Sequence, residues 1–361
     1  MITKHTFLPD FETYEDCLGF KASDSLFFDI ETTGFSPESS YLYLIGVLRR
    51  TPEGWKLTQW LSQAPQEEIL LLKEFLNTAR EFSQLIHFNG TTFDLPYLKK
   101  KARAAGLPHT LDHMDSLDLY RCFRPLQKLL SLERMNQTSL ENFLGMKRRD
   151  KMNGKTLIPV CQDYMTSKDP GLEELLLLHN LEDVKGMADL LSLSAYLKFT
   201  DPDKDAGSIK FFGIARKDSA AEISFSYSPA IPQALSVSLG KYGSLHLDFD
   251  RGTLCVPIFT GRLLYFFPDY KNYYYLPMED QAVHKSVAAY VDKEYRQQAT
   301  AATCYIGKEG DFLAQPGPFF IPDYRCSYTS KDYYFELKEE AFPSGEALQR
   351  YLAALLKAAL N

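Results

Sequence analysis

The chain has 361 residues, of which 45% are apolar and 24% charged, and its net charge is -7. That length exceeds what one hydrophobic core usually serves and predicts two domains, while the composition excludes a mainly disordered or collagen-like chain. The negative balance also excludes a protein that is basic all over, so any nucleic-acid contact needs a local basic track.

No apolar run nears the roughly 20 residues that cross a bilayer, and the longest, Tyr41 to Leu48, has strand length. Residues 1–16 lack the apolar core of a signal peptide. The six cysteines (Cys17, Cys122, Cys161, Cys255, Cys304, Cys326) contain no CxxC pair. The expectation is a cytoplasmic protein with reduced thiols, no membrane partner, and neither a zinc ribbon nor a disulfide framework.

Residues 1–23 read as a lead-in. Residues 24–200 alternate strand-like and helix-like patterns, which predicts an α/β layer fold. Strands are expected at 26–30, 41–48 and 56–60, with connections short enough for antiparallel neighbours. A helix follows at 66–82, where Ile69, Leu72, Phe75 and Leu76 share a face. Next come a strand at 85–88, a helix at 94–105 stopped by Gly106 and Pro108, and a strand at 113–119. A short helix opens at Ser139, and a long one covers 172–197. The acidic stretch 201–207 reads as a linker. Residues 208–361 alternate at period two at 222–228, 244–249 and 253–260, with helices expected near 280–297 and at 345–360. This predicts a separate, strand-rich α+β domain, and it holds 15 of the 22 tyrosines.

Three segments carry chemistry. In Leu26-Phe27-Phe28-Asp29-Ile30-Glu31-Thr32-Thr33-Gly34, strand periodicity puts Asp29 and Glu31 side by side on one face. Two such acids repel, and a cation between them removes the conflict. A strand end with two solvated acids is the plain alternative. In His87-Phe88-Asn89-Gly90-Thr91-Thr92-Phe93-Asp94, a strand ends in an Asn-Gly turn and Asp94 enters the first turn of a helix, where an acid also complements the helix dipole. In His179-Asn180-Leu181-Glu182-Asp183, helical spacing puts His179 and Asp183 on one face, with Glu182 turned away and solvated. A lone His in such a place is also commonly a core residue.

Taken in order, these segments resemble the DEDD exonucleases of the ribonuclease-H-like (DnaQ-like) superfamily, closest to the YprB-type ribonuclease-H-like domain, from about Leu26 to Leu197. The resemblance implies a mixed five-stranded sheet of order 3-2-1-4-5 with flanking helices. It also implies metal-binding acids at Asp29, Glu31, Asp94 and Asp183, which would hold two Mg2+ or Mn2+ ions, and a general base at His179. Thr32, Thr33, Gly34, Phe35, Asn89, Phe93 and Asp115 become candidate substrate contacts. Such families place a His five residues before the last Asp or a Tyr four before it. Here a His takes the Tyr spacing, which leaves its role in orienting or deprotonating water open.

The implied activity is 3′-to-5′ hydrolysis of single-stranded or frayed nucleic acid. The alternatives are a structure-selective endonuclease with the same metals, or a nucleic-acid-binding or interaction module with an idle site. Between Lys99 and Lys155 stand 13 Lys or Arg against six Asp or Glu, a local surplus of 7 positive charges. Lys99, Lys100, Lys101, Arg103, Arg121, Arg124 and residues 147–149 are therefore candidates for a phosphate track, with solvated helix faces as the plain reading. In the second half, Tyr270, Tyr273, Tyr274 and Tyr275 are either core or a base-stacking surface.

Overall fold

The computed structural model describes residues 1–361 apart from 15–17, 151, 153, 202–207, 339–340 and 361. Backbone contacts divide the chain into two compact units, Met1–Ser194 and Ala195–Asn361. The boundary thus precedes the expected linker, most of which (202–207) lies outside the described residues. The shift has a packing cause: Tyr196 donates its hydroxyl to the Gln233 carbonyl, and the Phe199 ring sits edge-on to Tyr227 at 5.1 Å.

The first unit is built on β1 (Ile2–Leu8), β2 (Ser25–Thr32), β3 (Leu42–Thr51), β4 (Gly54–Leu61), β5 (Gln84–His87) and β6 (Asp115–Asp118). Its helices are α1 (Glu68–Ala79), α2 (Asp94–Ala104), α3 (Leu119–Phe123), α4 (Gln137–Phe143), α5 (Gly154–Ser167) and α6 (Pro170–Leu190). The sheet has six strands in the order β1-β4-β3-β2-β5-β6, antiparallel from β1 to β2 and parallel from β2 to β6. The expected five-stranded order is present inside it, and the correction is β1, drawn from the supposed lead-in. β1 pairs only with β4 and leaves most of its side chains wet, so it carries little apolar signal.

β2 lies at the centre and is buried on both faces, which is why it begins with a continuous apolar run. Leu26, Phe28 and Ile30 pack under α1 and α2, together with Leu72, Phe75 and Leu98. The opposite face of the sheet, at Tyr43, Leu44 and Leu61, packs under α5 and α6 through Leu157, Tyr164, Leu176 and Leu177. Alternation along β2 therefore sends Asp29 and Glu31 to the α6 side. Asp169 caps α6, accepting from the amides of Gly171 and Leu172, with Pro170 at the first helical position.

The second unit centres on the long strand β11 (Arg251–Phe266). Its first half pairs with β8 (Ala220–Tyr227) and β10 (Ser244–Asp248), and its second half with β15 (Tyr305–Gln315). β7 (Ile209–Lys217), β9 (Leu235–Ser238) and β16 (Tyr333–Glu336) extend this sheet. The helix Gly345–Leu360 buries Leu348, Tyr351, Leu352, Leu355 and Leu356. The helix expected near 280–297 is replaced by a strand, Gln281–His284, and two short turns, the helical Lys285–Ala288 and the 3-10 turn Lys293–Tyr295. Asp280, in the left-handed region at φ 50°, turns that strand back onto Tyr273–Leu276, and the hairpin pairing overrides the helical spacing. In this hairpin Tyr273 stacks on Phe267 at 4.6 Å and Tyr275 donates to Asp280, so these rings serve packing.

Candidate active site

The ribs of the site are β2 and α6. Asp29 pairs in register with Gly46 of β3, and Glu31 with Leu44, just before a bulge at Glu31/Thr32 and the last pair, Thr32 with Leu42. Asn180 of α6 donates its amide to Asp29 Oδ2 at 3.0 Å and accepts from Gln59 Nε2 at 3.0 Å. This approach needs a glycine at 46, because a Cβ there would stand 2.0 Å from Asn180 Oδ1. Glu31 is 8% exposed and accepts from the buried Tyr43 hydroxyl at 3.4 Å.

One helical turn links His179 to Asp183, whose Oδ2 lies 3.1 Å from His179 Nε2, while Glu31 Oε1 lies 3.5 Å from the same nitrogen. The other ring nitrogen, Nδ1, pairs with the buried carboxylate of Asp150. Arg148 Nη2 reaches Asp183 Oδ1 at 2.6 Å and Glu141 Oε1 at 2.8 Å. Asp94 enters at the start of α2, buried, with Oδ2 facing the space a Gly90 side chain would fill.

Burial pushes the Asp29 carboxyl well above its ordinary range, and the charges of Asp183, Glu31 and Asp94 push it further, against the Asn180 hydrogen bond. Glu31 rises to about 8, first through burial, with His179 opposing and Asp183 and Asp94 adding. Asp94 rises to about 7 through burial, although backbone hydrogen bonds at Asp94 and Ile30 favour its charge. Asp183 is held below its ordinary value: burial opposes this, but His179 and Arg148 prevail. His179 rises to about 9, because its bond to Asp183 and the charges of Asp183 and Glu31 outweigh burial. Three carboxyls therefore hold their protons chiefly because they are buried, and a positive charge beside them would oppose that.

Ligand atoms of Glu31, His179 and Asp183 lie within 4.8 Å of one another. Carboxylate oxygens suit a hard divalent cation, and the raised acids are those that such a charge would relieve, so the acids fit the group the resemblance implies.

The remaining expected residues divide. Phe35 is 80% exposed and sits edge-on to Phe93 at 5.8 Å. Thr32 and Thr33 spend their hydroxyls on the turn, donating to the Gly34 carbonyl and accepting from the Tyr41 amide. Asn89 adopts the left-handed conformation, φ 61°, and its backbone N–H donates to Asp118 Oδ1. Asp115 is exposed and opens β6 opposite Gln84, which pairs with Ser25, so it stands about 13 Å along the sheet from the level of Asp29. Asp118 is the residue of that strand at the acids' end, and it also caps α3 through the Tyr120 amide.

Glu182 is a correction. Its carboxylate accepts from the amides of Arg149 and Asp150, each at 3.0 Å, so it is engaged rather than solvated. The basic run is largely spoken for as well: Lys99 and Arg103 pair with Asp112, Lys100 with Glu38, and Lys101 with Glu68. Arg121 pairs with Asp118 at 3.8 Å and Arg149 with Glu182 at 3.5 Å, yet both side chains stay mostly exposed, at 61% and 75%. Asn180 was within reach of the sequence, three residues before Asp183 on the same helix. Asp150 and Arg148 were not, because only tertiary folding brings their loop to α6.

A meander of three antiparallel strands, two further parallel strands, helices on both faces and acids at the end of the central strand define the ribonuclease-H-like class of α/β domain. Residues 26–194 match the family model RNase_H_2, described as RNase_H superfamily. Among solved structures the chain is similar to the family B DNA polymerase of the archaeon Pyrobaculum calidifontis, at 16% identity and a TM-score of 0.38, over 69% of this chain and 35% of that one. It is also similar to E. coli Exonuclease I in complex with a dT13 oligonucleotide, at 12% identity and a TM-score of 0.32, over 56% of this chain and 55% of that one. An ExoI/SSB-Ct complex matches at 12% identity and 0.29, over 57% and 56%. The chain thus spans less than two thirds of each of these. No curated protein matches the sequence. Among the described residues no helix is long and apolar enough to cross a membrane.

Proposed function

We propose that this protein is a metal-dependent nuclease, acting as a 3′-to-5′ exonuclease on single-stranded or frayed nucleic acid. One observation carries the reading: His179 Nε2 stands between Glu31 and Asp183, and the charges of Asp94 and Asp183, from two other segments, act on Asp29 and Glu31 of β2. The four acids would hold two divalent cations, Mg2+ or Mn2+. Such ions supply an activated water and stabilise the leaving 3′ oxygen of an in-line displacement at phosphorus.

The chain's own residues do the rest. Asn180 fixes the rotamer of Asp29 and Tyr43 holds Glu31, so neither acid has to reorganise during reaction. His179 takes the proton of the attacking water at Nε2 once Glu31 and Asp183 no longer hold a proton there. The exposed Phe35, braced by Phe93, offers a flat face to a terminal base, which favours an end over an interior bond. Arg121 and Arg149 offer charge to the strand's phosphates.

Labelled single strands test this directly, with Mg2+ or Mn2+ present. A 5′ label should pass into a ladder shortening by one nucleotide at a time, and a 3′ label into mononucleotide from the outset. Internal fragments appearing first would replace the exonuclease by a structure-selective endonuclease. Binding without cleavage, with either metal, would leave an idle interaction module.

A further inference from the structure

The segment Arg148–Asp150 touches α6 at three successive places. Arg148 meets Asp183, the amides of Arg149 and Asp150 meet Glu182, and the Asp150 carboxylate meets His179. Each end of the segment is anchored again. Glu141, 1% exposed, grips the Arg148 guanidinium through two of its nitrogens, and Asp150 Oδ1 accepts from the Met152 amide at 2.9 Å. Gly186 makes room for Glu141, since a Cβ there would stand 2.2 Å from its Oε1.

Asp150 is 7% exposed, and its Oδ2 is directed at His179 Nδ1. A carboxylate so deep is costly unless it is paired. An imidazole can turn over about its Cβ–Cγ bond, which exchanges the nitrogen facing the acids for a carbon. With Asp150 on Nδ1, that turn would set a C–H against the carboxylate, so Nε2 stays directed at Glu31 and Asp183.

We propose that Asp150 is the positioning residue of His179, and that the Arg148–Asp150 segment, clamped by Glu141 and Glu182, holds this histidine with Nε2 toward the acids. The inference rests on the nuclease reading for its kinetic consequence and on geometry alone for the pairing. It accounts for a histidine at the spacing where a tyrosine is usual: the orientation is supplied from outside the helix.

Asp150→Asn keeps the size of the side chain and an oxygen for the Met152 amide, so a purely structural role should survive it. We expect Asp150→Asn and His179→Ala each to lower kcat on the order of 10²–10⁴-fold with KM little changed, and the double variant to be no worse than His179→Ala. Multiplying losses, or an Asp150→Asn variant with the kcat of the parent, would overturn the proposal. Nitrogen-15 and proton spectra of the histidine rings give a reading that needs no turnover. A hydrogen-bonded Nδ1–H of His179 should be present in the parent and lost in Asp150→Asn, and an unchanged signal overturns the pairing. Should the parent cleave no strand and match Asp29→Asn, the nuclease reading fails by itself, and the spectra still decide whether Asp150 orients the ring.

Discussion

Asn180 reaches Asp29 across the gap between α6 and the sheet only because the residue paired with Asp29 is Gly46. A helix side chain thus enters the space where a strand side chain would stand, and the acid at the centre of the sheet takes its orientation from the helix that also carries Asp183.

Gly46→Ala should therefore cost more than a glycine replaced in a strand usually does. The new methyl must displace Asn180 or push α6 off the sheet, an overpacking penalty of about 1–3 kcal/mol. Asn180→Ala should cost about 1–3 kcal/mol by leaving Gln59 and Asp29 short of a partner. Urea denaturation measures both, and in each variant divalent metal should bind more weakly.

The raised acids set a pH dependence for the metal-free protein. Glu31 has a folded value of about 8 against an ordinary 4.5, so its contribution to stability is complete below about 4.5 and is lost as pH rises through 8. His179, at about 9 against 6.5, loses its contribution over the upper part of the same range. The melting temperature of the metal-free protein should fall between pH 5 and pH 9, and Mn2+ should restore it by an increment that grows with pH. Asp29→Asn and Asp183→Asn should remove most of that increment. The control is Glu81→Gln, on a surface acid paired with Arg49.

The two acids of β6 should behave oppositely. Asp115→Ala should leave stability within about 0.5 kcal/mol, as for an exposed side chain without a structural role. Asp118→Ala strips the partner from the Asn89 and Tyr120 amides and should cost about 1–2 kcal/mol. Thermal melts of the two variants side by side check the assignment.

Phe35→Ala should leave the melting temperature unchanged, since the ring is already in solvent, yet raise KM for a single strand and weaken the preference for its end. Steady-state rates on linear and circular single strands measure that preference.

How much of this was legible follows from where each signal lies. β2, its two acids and the His179–Asp183 turn could be read because each feature sits within one element, where a period of two or 3.6 decides which face a residue takes. β1 was missed because an edge strand with wet side chains has no apolar rhythm. α5 was missed because Pro159 argues against a helix, although Leu157, Cys161 and Tyr164 keep helical spacing and are buried. Asp150 lies 29 residues from His179, and no periodicity links a loop to a distant helix face. For the same reason Asp115 and Asp118 could not be told apart: both lie on one strand, and only the register with β5 says which end meets the acids.

The most direct test is the rate of nucleotide release from a single strand by the wild type and by Asp29→Asn, each with Mn2+ and with a chelator. Release is expected from the wild type with metal only, with a loss on the order of 10³-fold or more in Asp29→Asn, as when a residue that acts with its neighbours as a unit is removed. Equal release with chelator present, or by Asp29→Asn, would overturn the metal-dependent role of Asp29.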